Sequence, residues 1–146
     1  MNNATVWIPP QDFIIPLMCI PWWLPVNLLW NAIVIVSTLA TQRLLRELAV
    51  RRLLGYLVLT TIVGAIVDTV WHLATTYAVR ASTPDYLTYP KLMPGACLRA
   101  MPVIIVVLGL VNFLLAAGLL RLKWRRAAIL GGAMGLFTAP WPVVLL

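Results

Sequence analysis

Residues 101–120 read MPVIIVVLGLVNFLLAAGLL. None of these side chains carries a charge, and Asn112 is the one strongly polar group among them. A helix crosses the hydrocarbon of a bilayer in about 20 such residues, so this stretch reads as a membrane span. The composition of the whole chain agrees. Its 146 residues are 62% hydrophobic and 10% charged, with a mean hydropathy of +0.95. Soluble domains carry about 25% charged residues, and a chain this poor in charge cannot cover a core with an ordinary water-facing surface.

Three further stretches, 23–42, 53–79 and 127–146, are also long enough to span. The sequence therefore predicts an all-α, polytopic integral membrane protein. It would be a single membrane domain over 1–146, with four transmembrane helices (23–42, 53–79, 100–120 and 127–146) in a small bundle. The fourth is the weakest of the set. Pro140 and Pro142 remove backbone donors, and Ala127 to Ala139 alone makes about 20 Å of helix, too short to cross.

Two segments are expected to be irregular. In 6–25, VWIPPQDFIIPLMCIPWWLP, five prolines (Pro9, Pro10, Pro16, Pro21 and Pro25) argue against a regular helix. Trp7, Trp22 and Trp23 suit the headgroup layer, so residues 1–22 are read as a segment lying along the outer interface. The loop 80–99, with Pro84, Pro90 and Pro94, is read as an irregular cap on the same side.

Lys and Arg set the orientation. Arg43, Arg46, Arg51 and Arg52 lie in one connection, and Arg121, Lys123, Arg125 and Arg126 in another. Only Arg80, Lys91 and Arg99 lie between the middle spans, and no basic residue precedes Arg43 or follows Arg126. The excess of positive charge on cytoplasmic loops then puts both termini outside, N-out/C-out. The net charge of +7 comes from these short clusters beside apolar runs, which is a topology signal and not a nucleic-acid face. Nine Arg to two Lys, with the Leu, Val and Ala bias, favour a prokaryotic cell membrane. There the Asn3-Ala4-Thr5 sequon would have no glycosylation to receive.

The second span holds the one unusual pair. Residues 67–73 read VDTVWHL, with Asp68 four residues before the only His, His72. Thr61, Ala65, Asp68, His72 and Thr75 recur at helical spacing and share one small or polar face. Counted from the outer ends of their spans, Asn31, Asp68 and Asn112 lie at about 12, 17 and 18 Å, and His72 at about 11 Å. Ionisable groups at such depth avoid lipid. Two readings are open: a proton relay or cation site with Asp68 as carrier and His72 coupled to it, or an intramembrane polar cluster that fixes packing, with Asp68 bonded to Asn31 or Asn112.

Other candidates are thinner. One His and one Asp do not make a zinc site, so no metal is assigned. His72 could supply one axial haem ligand, with Met101, a partner chain or a second copy supplying the other. Nothing in the sequence requires a cofactor, and haem, quinone or pigment would come through a partner. Cys19 and Cys97 fall on the expected outer side, where an oxidising exterior permits a disulfide; two separate thiols are the alternative. Gly131 and Gly135 form a small-xxx-small pair that allows close helix approach, within the bundle or to another chain.

With four acids, one His and no phosphate-binding Gly loop, the chain has few parts for catalysis of its own. The expected function is an accessory or scaffold subunit among other integral membrane subunits, an energy-converting assembly being one such setting. The alternative is a small homo-oligomeric proton-coupled transporter or channel using Asp68 and His72. Its partners would be membrane subunits and the lipid bilayer, with no nucleic acid.

Overall fold

The computed structural model describes residues 11–82 and 89–139. Among them the chain forms four α-helices and no strand: α1 (Gln11–Thr41), α2 (Val50–Ser82), α3 (Tyr89–Leu119) and α4 (Trp124–Thr138). Each helix packs against its neighbours in sequence, and α4 closes the ring against α1. The most extensive contact is between α3 and α4. At 1.5 Å per residue the first three are about 46, 50 and 46 Å long, and α4 about 22 Å. Three helices are long and apolar enough to cross a membrane, over Leu24–Thr41, Val50–Val79 and Leu98–Leu119.

The two segments expected to be irregular are largely helical. α1 begins at Gln11 and runs through Pro16, Pro21 and Pro25, so the interfacial segment 1–22 is helix from residue 11 onward. Each proline removes a single donor, and the bonds on either side continue the helix, an arrangement that membrane helices tolerate. The loop 80–99 shrinks in the same way. α2 extends to Ser82 and α3 starts at Tyr89, with Pro90 as its second residue. In the first turn of a helix the N–H groups have no acceptor, so Pro90 loses no bond and its fixed φ favours the start. Residues 1–10, including the Asn3 sequon and Trp7, lie outside the described residues.

At the fourth expected span, 127–146, the helix described is short. α4 covers 15 residues, and the chain leaves it at Ala139 in an extended conformation, φ −56° and ψ 153°. Residues 140–146 lie outside the described set. The end of α4 is held from the side: the Trp30 indole N–H donates to Phe137 O at 2.7 Å. Thr138 Oγ1 donates to Met134 O. One carbonyl that a helix C-terminus leaves open, that of Phe137, thus receives a side-chain donor, while the Thr138 hydroxyl adds to a bond already within the helix.

Both connections at the basic end use an arginine with positive φ, Arg43 at 56° and Arg121 at 54°. After α1 the turn is a Schellman motif: Leu44 N–H reaches Leu39 O at 2.9 Å and Arg43 N–H reaches Ala40 O at 2.9 Å. Leu44 and Leu39, 2% and 0% exposed, bury the apolar contact that accompanies this motif. Glycine is the usual residue at the left-handed position, since a side chain there costs about 1–2 kcal/mol.

The main core lies at this end. Ile35, Leu39, Tyr56, Ala116, Leu130 and Met134 belong to one buried cluster drawn from all four helices. A smaller cluster of Met101, Ile104, Leu108 and Ala139 sits further along α3, with Val67 and Trp71 against it. Large apolar side chains such as Leu29, Val70, Val103 and Leu114 face outward at 61–65% exposure, as a lipid-facing surface does.

α3 and α4 meet backbone to backbone. A Cβ on Gly131 would stand 2.6 Å from Gly109 O and 2.7 Å from Phe113 N. On Gly135 it would stand 2.5 Å from Ile105 O and 2.8 Å from Gly109 N. Of the two partners the sequence left open for this pair, the structure places α3 of the same chain. Gly132, one residue away, has nothing within 4 Å of such a Cβ. Gly131→Ala and Gly135→Ala should each destabilise the protein by about 1–3 kcal/mol, because rigid backbone must separate. Gly132→Ala should leave stability unchanged or slightly raised, as read by denaturant unfolding in detergent micelles.

Candidate functional site

The polar stripe expected on α2 points inward. Thr61 and Thr75 are buried and Ala65, Asp68 and His72 half-buried, while Ile62, Ile66, Thr69 and Val70 are exposed. The 3.6-residue period selects that face, and the helices on either side supply its partners.

Those partners form two separate layers. In the first, Tyr56, 0% exposed within the main core, directs its hydroxyl at Asn112, 3.4 Å from the backbone O and 3.5 Å from Oδ1. The Asn112 Nδ2 donates to Leu108 O in its own helix at 2.8 Å. In the second, Asn31 Nδ2 donates to Thr61 Oγ1 at 3.1 Å, and that hydroxyl donates to Leu57 O at 2.8 Å. Along α2 the layers are about 7–8 Å apart. The first joins α2 to α3, and the second α2 to α1.

Asp68 belongs to neither. It lies about 10 Å beyond Thr61 along α2, and about 18 Å beyond Tyr56. Its Oδ1 is buried with no hydrogen-bond partner. The comparable depths expected for Asn31, Asp68 and Asn112 are thus not found, and neither asparagine bonds to the carboxyl. Counting from the ends of apolar stretches assumes that each span starts at the membrane surface, whereas α1 and α3 begin well before those points, at Gln11 and Tyr89. His72, one turn further along, is half-buried.

Asn31 Oδ1 and both polar atoms of the Gln42 carboxamide are likewise buried without partners. Each such group costs about 1–3 kcal/mol. Met101, named above as a possible axial ligand, is 2% exposed within the apolar cluster of Ile104, Leu108 and Ala139. Among the described residues no three of His, Cys, Asp and Glu come together to hold a metal ion. The disulfide reading falls on Cys19 and Cys97 side chains that lie outside the described set.

A cleft of ≈ 400 Å³ opens between α2 and α3 at the end away from the basic turns. Trp71, Thr75, Ala78, Ser82, Ala96 and Ala100 are among the residues that line it. The lining is small and mostly apolar, and it includes neither Asp68 nor His72.

Two features escaped the sequence reading. Tyr56, near the start of the apolar stretch 53–79, is the hydroxyl partner of Asn112. Trp30 carries an N–H deep in a membrane-spanning helix, and that donor was itself the signal that an acceptor must lie beside it.

Fold and site together define an all-helical protein with three helices capable of crossing a membrane and hydrogen-bonded polar pairs between them. Comparison of the chain with protein-family models, curated proteins and solved structures finds no match.

A double-mutant cycle with Asn31→Ala and Thr61→Val should give a coupling of about 0.6 kcal/mol, the average for interhelical hydrogen bonds in membrane proteins. Asn31→Ala with Asp68→Ala should instead be additive, because no contact joins them. Unfolding in detergent measures both.

Proposed function

We propose that this chain is an accessory subunit of a larger integral membrane complex, without catalysis of its own, seated N-out/C-out in a prokaryotic cell membrane. In this reading the turns carrying Arg43–Arg52 and Arg121–Arg126 face the cytoplasm. The same reading takes 127–146 as the fourth crossing. The observation that supports the subunit reading most is the use of the polar groups. Asn31, Thr61, Tyr56 and Asn112 bond helix to helix, and the Trp30 indole secures the end of α4. Side chains so arranged fix packing. An outward surface rich in large apolar groups is open to lipid and to neighbouring helices alike.

One observation favours the second reading, a small homo-oligomeric proton-coupled transporter. Asp68 Oδ1 is buried without a partner, next to the half-buried His72. An ionisable group inside a membrane helix marks a functional site by default.

Native mass spectrometry of the protein, extracted in mild detergent from its own membrane, separates the two. Other chains retained in fixed ratio are expected; a homo-oligomer alone would overturn the subunit reading. For a subunit, Asp68→Asn should leave assembly intact and change its yield less than about twofold, since Asn keeps hydrogen-bonding capacity. For a transporter, the same variant should insert and fold normally but lose proton flux in reconstituted vesicles.

A further inference from the structure

The turn after α1 and the turn after α3 lie side by side. Leu44, Leu45 and Leu48 of the first and Leu120 and Leu122 of the second pack into one core. That juxtaposition gathers eight exposed cations, Arg43, Arg46, Arg51, Arg52, Arg121, Lys123, Arg125 and Arg126, at one end of the bundle. Glu47 is the only acid in either turn.

Membrane topology explains the number of these charges but not where they sit. Orientation depends on how many Lys and Arg a loop carries, so any position in it would serve. Yet Arg43 and Arg121 occupy the two left-handed positions, φ 56° and 54°, where glycine is favoured. Lys123, Arg125 and Arg126 crowd the start of α4, whose partial positive charge repels cations. That terminus has no side-chain cap and no acid in its first turn. The crowding of cations at this uncapped helix start is thus unfavourable for the isolated protein, and negative charge placed upon the surface relieves it. Trp124, 68% exposed, stands beside Arg125, whose Cζ lies 5.4 Å from the ring centroid, and an outward Trp of this kind suits the headgroup level.

We infer that this end of the bundle binds the phosphate headgroup of an anionic phospholipid across the two turns, with Arg43, Arg121, Arg125 and Arg126 donating to the phosphate oxygens. Arginine's planar fork matches phosphate geometry, and basic surfaces beside membrane helices gather anionic lipid. The occupant is the bilayer's own lipid, because the helices leading into these turns hold the surface at headgroup height. The inference holds whether the chain is a subunit or a transporter.

The test is native mass spectrometry of the full chain in detergent, titrated with phosphatidylglycerol or phosphatidylcholine. The wild type should retain phosphatidylglycerol at concentrations about tenfold lower than phosphatidylcholine, in line with the attraction expected from several basic residues. The Arg43→Gly/Arg121→Gly double variant keeps both backbone conformations. It should lose about tenfold in phosphatidylglycerol retention while its lipid-free unfolding temperature stays level or rises. Arg125→Gln/Arg126→Gln, on exposed positions, should show the same loss. Equal retention of the two lipids by the wild type would overturn the inference, as would unchanged retention in both variants. Displacement of the lipid by millimolar inorganic phosphate would overturn the assignment to lipid and give the cluster to a free anion.

Discussion

Hydrocarbon offers no hydrogen-bond partner, so every backbone N–H and C=O within it must be satisfied by the protein. This constraint shapes each element of the bundle. It keeps α1 helical at Pro25, inside its apolar span, because abandoning the helix there would strand many groups where the proline strands one carbonyl. It also explains the treatment of the end of α4, about 20 Å from its start, where the Trp30 indole N–H donates to Phe137 O.

A second consequence concerns what holds the helices together. Apolar burial gives little preference for protein over lipid, so association depends on close packing and polar contacts. The two are separated in space here. Gly109, Gly131 and Gly135 bring α3 and α4 into backbone contact, and hydrogen bonds connect α2 to α1 and to α3. Glycine contacts set distance, while the Asn31–Thr61 and Tyr56–Asn112 pairs set the lengthwise register of one helix against the next. Asp68 contributes to neither, which is why it stands out as a group that packing does not account for.

The three long apolar helices were legible because a charge-free run of about 20 residues has few alternatives. The inward face of α2 was legible too, since Thr61, Asp68, His72 and Thr75 recur at the period of a helix. Periodicity, however, describes one helix at a time. Which residue of α1 meets which residue of α2 depends on their relative sliding, and no pattern within either carries that information; Asn31 was therefore matched to Asp68 and not to Thr61. The helical runs through Pro16, Pro21, Pro25 and Pro90 were missed for a different reason. The proline penalty is calibrated in water, where a broken helix can bond to solvent, and position within the helix decides whether any bond is lost at all.

The shortness of α4 bears on what keeps it in the bundle. A helix of 15 residues is below the length that partitions into a bilayer as an independent span. Its glycine face has no bulky side chains with which to shield its own backbone. α4 therefore depends on α3 for its place in the bundle, since the backbone at Ile105, Gly109 and Phe113 is what covers its glycine face. For this region docking between helices counts for more than the hydropathy of α4 itself.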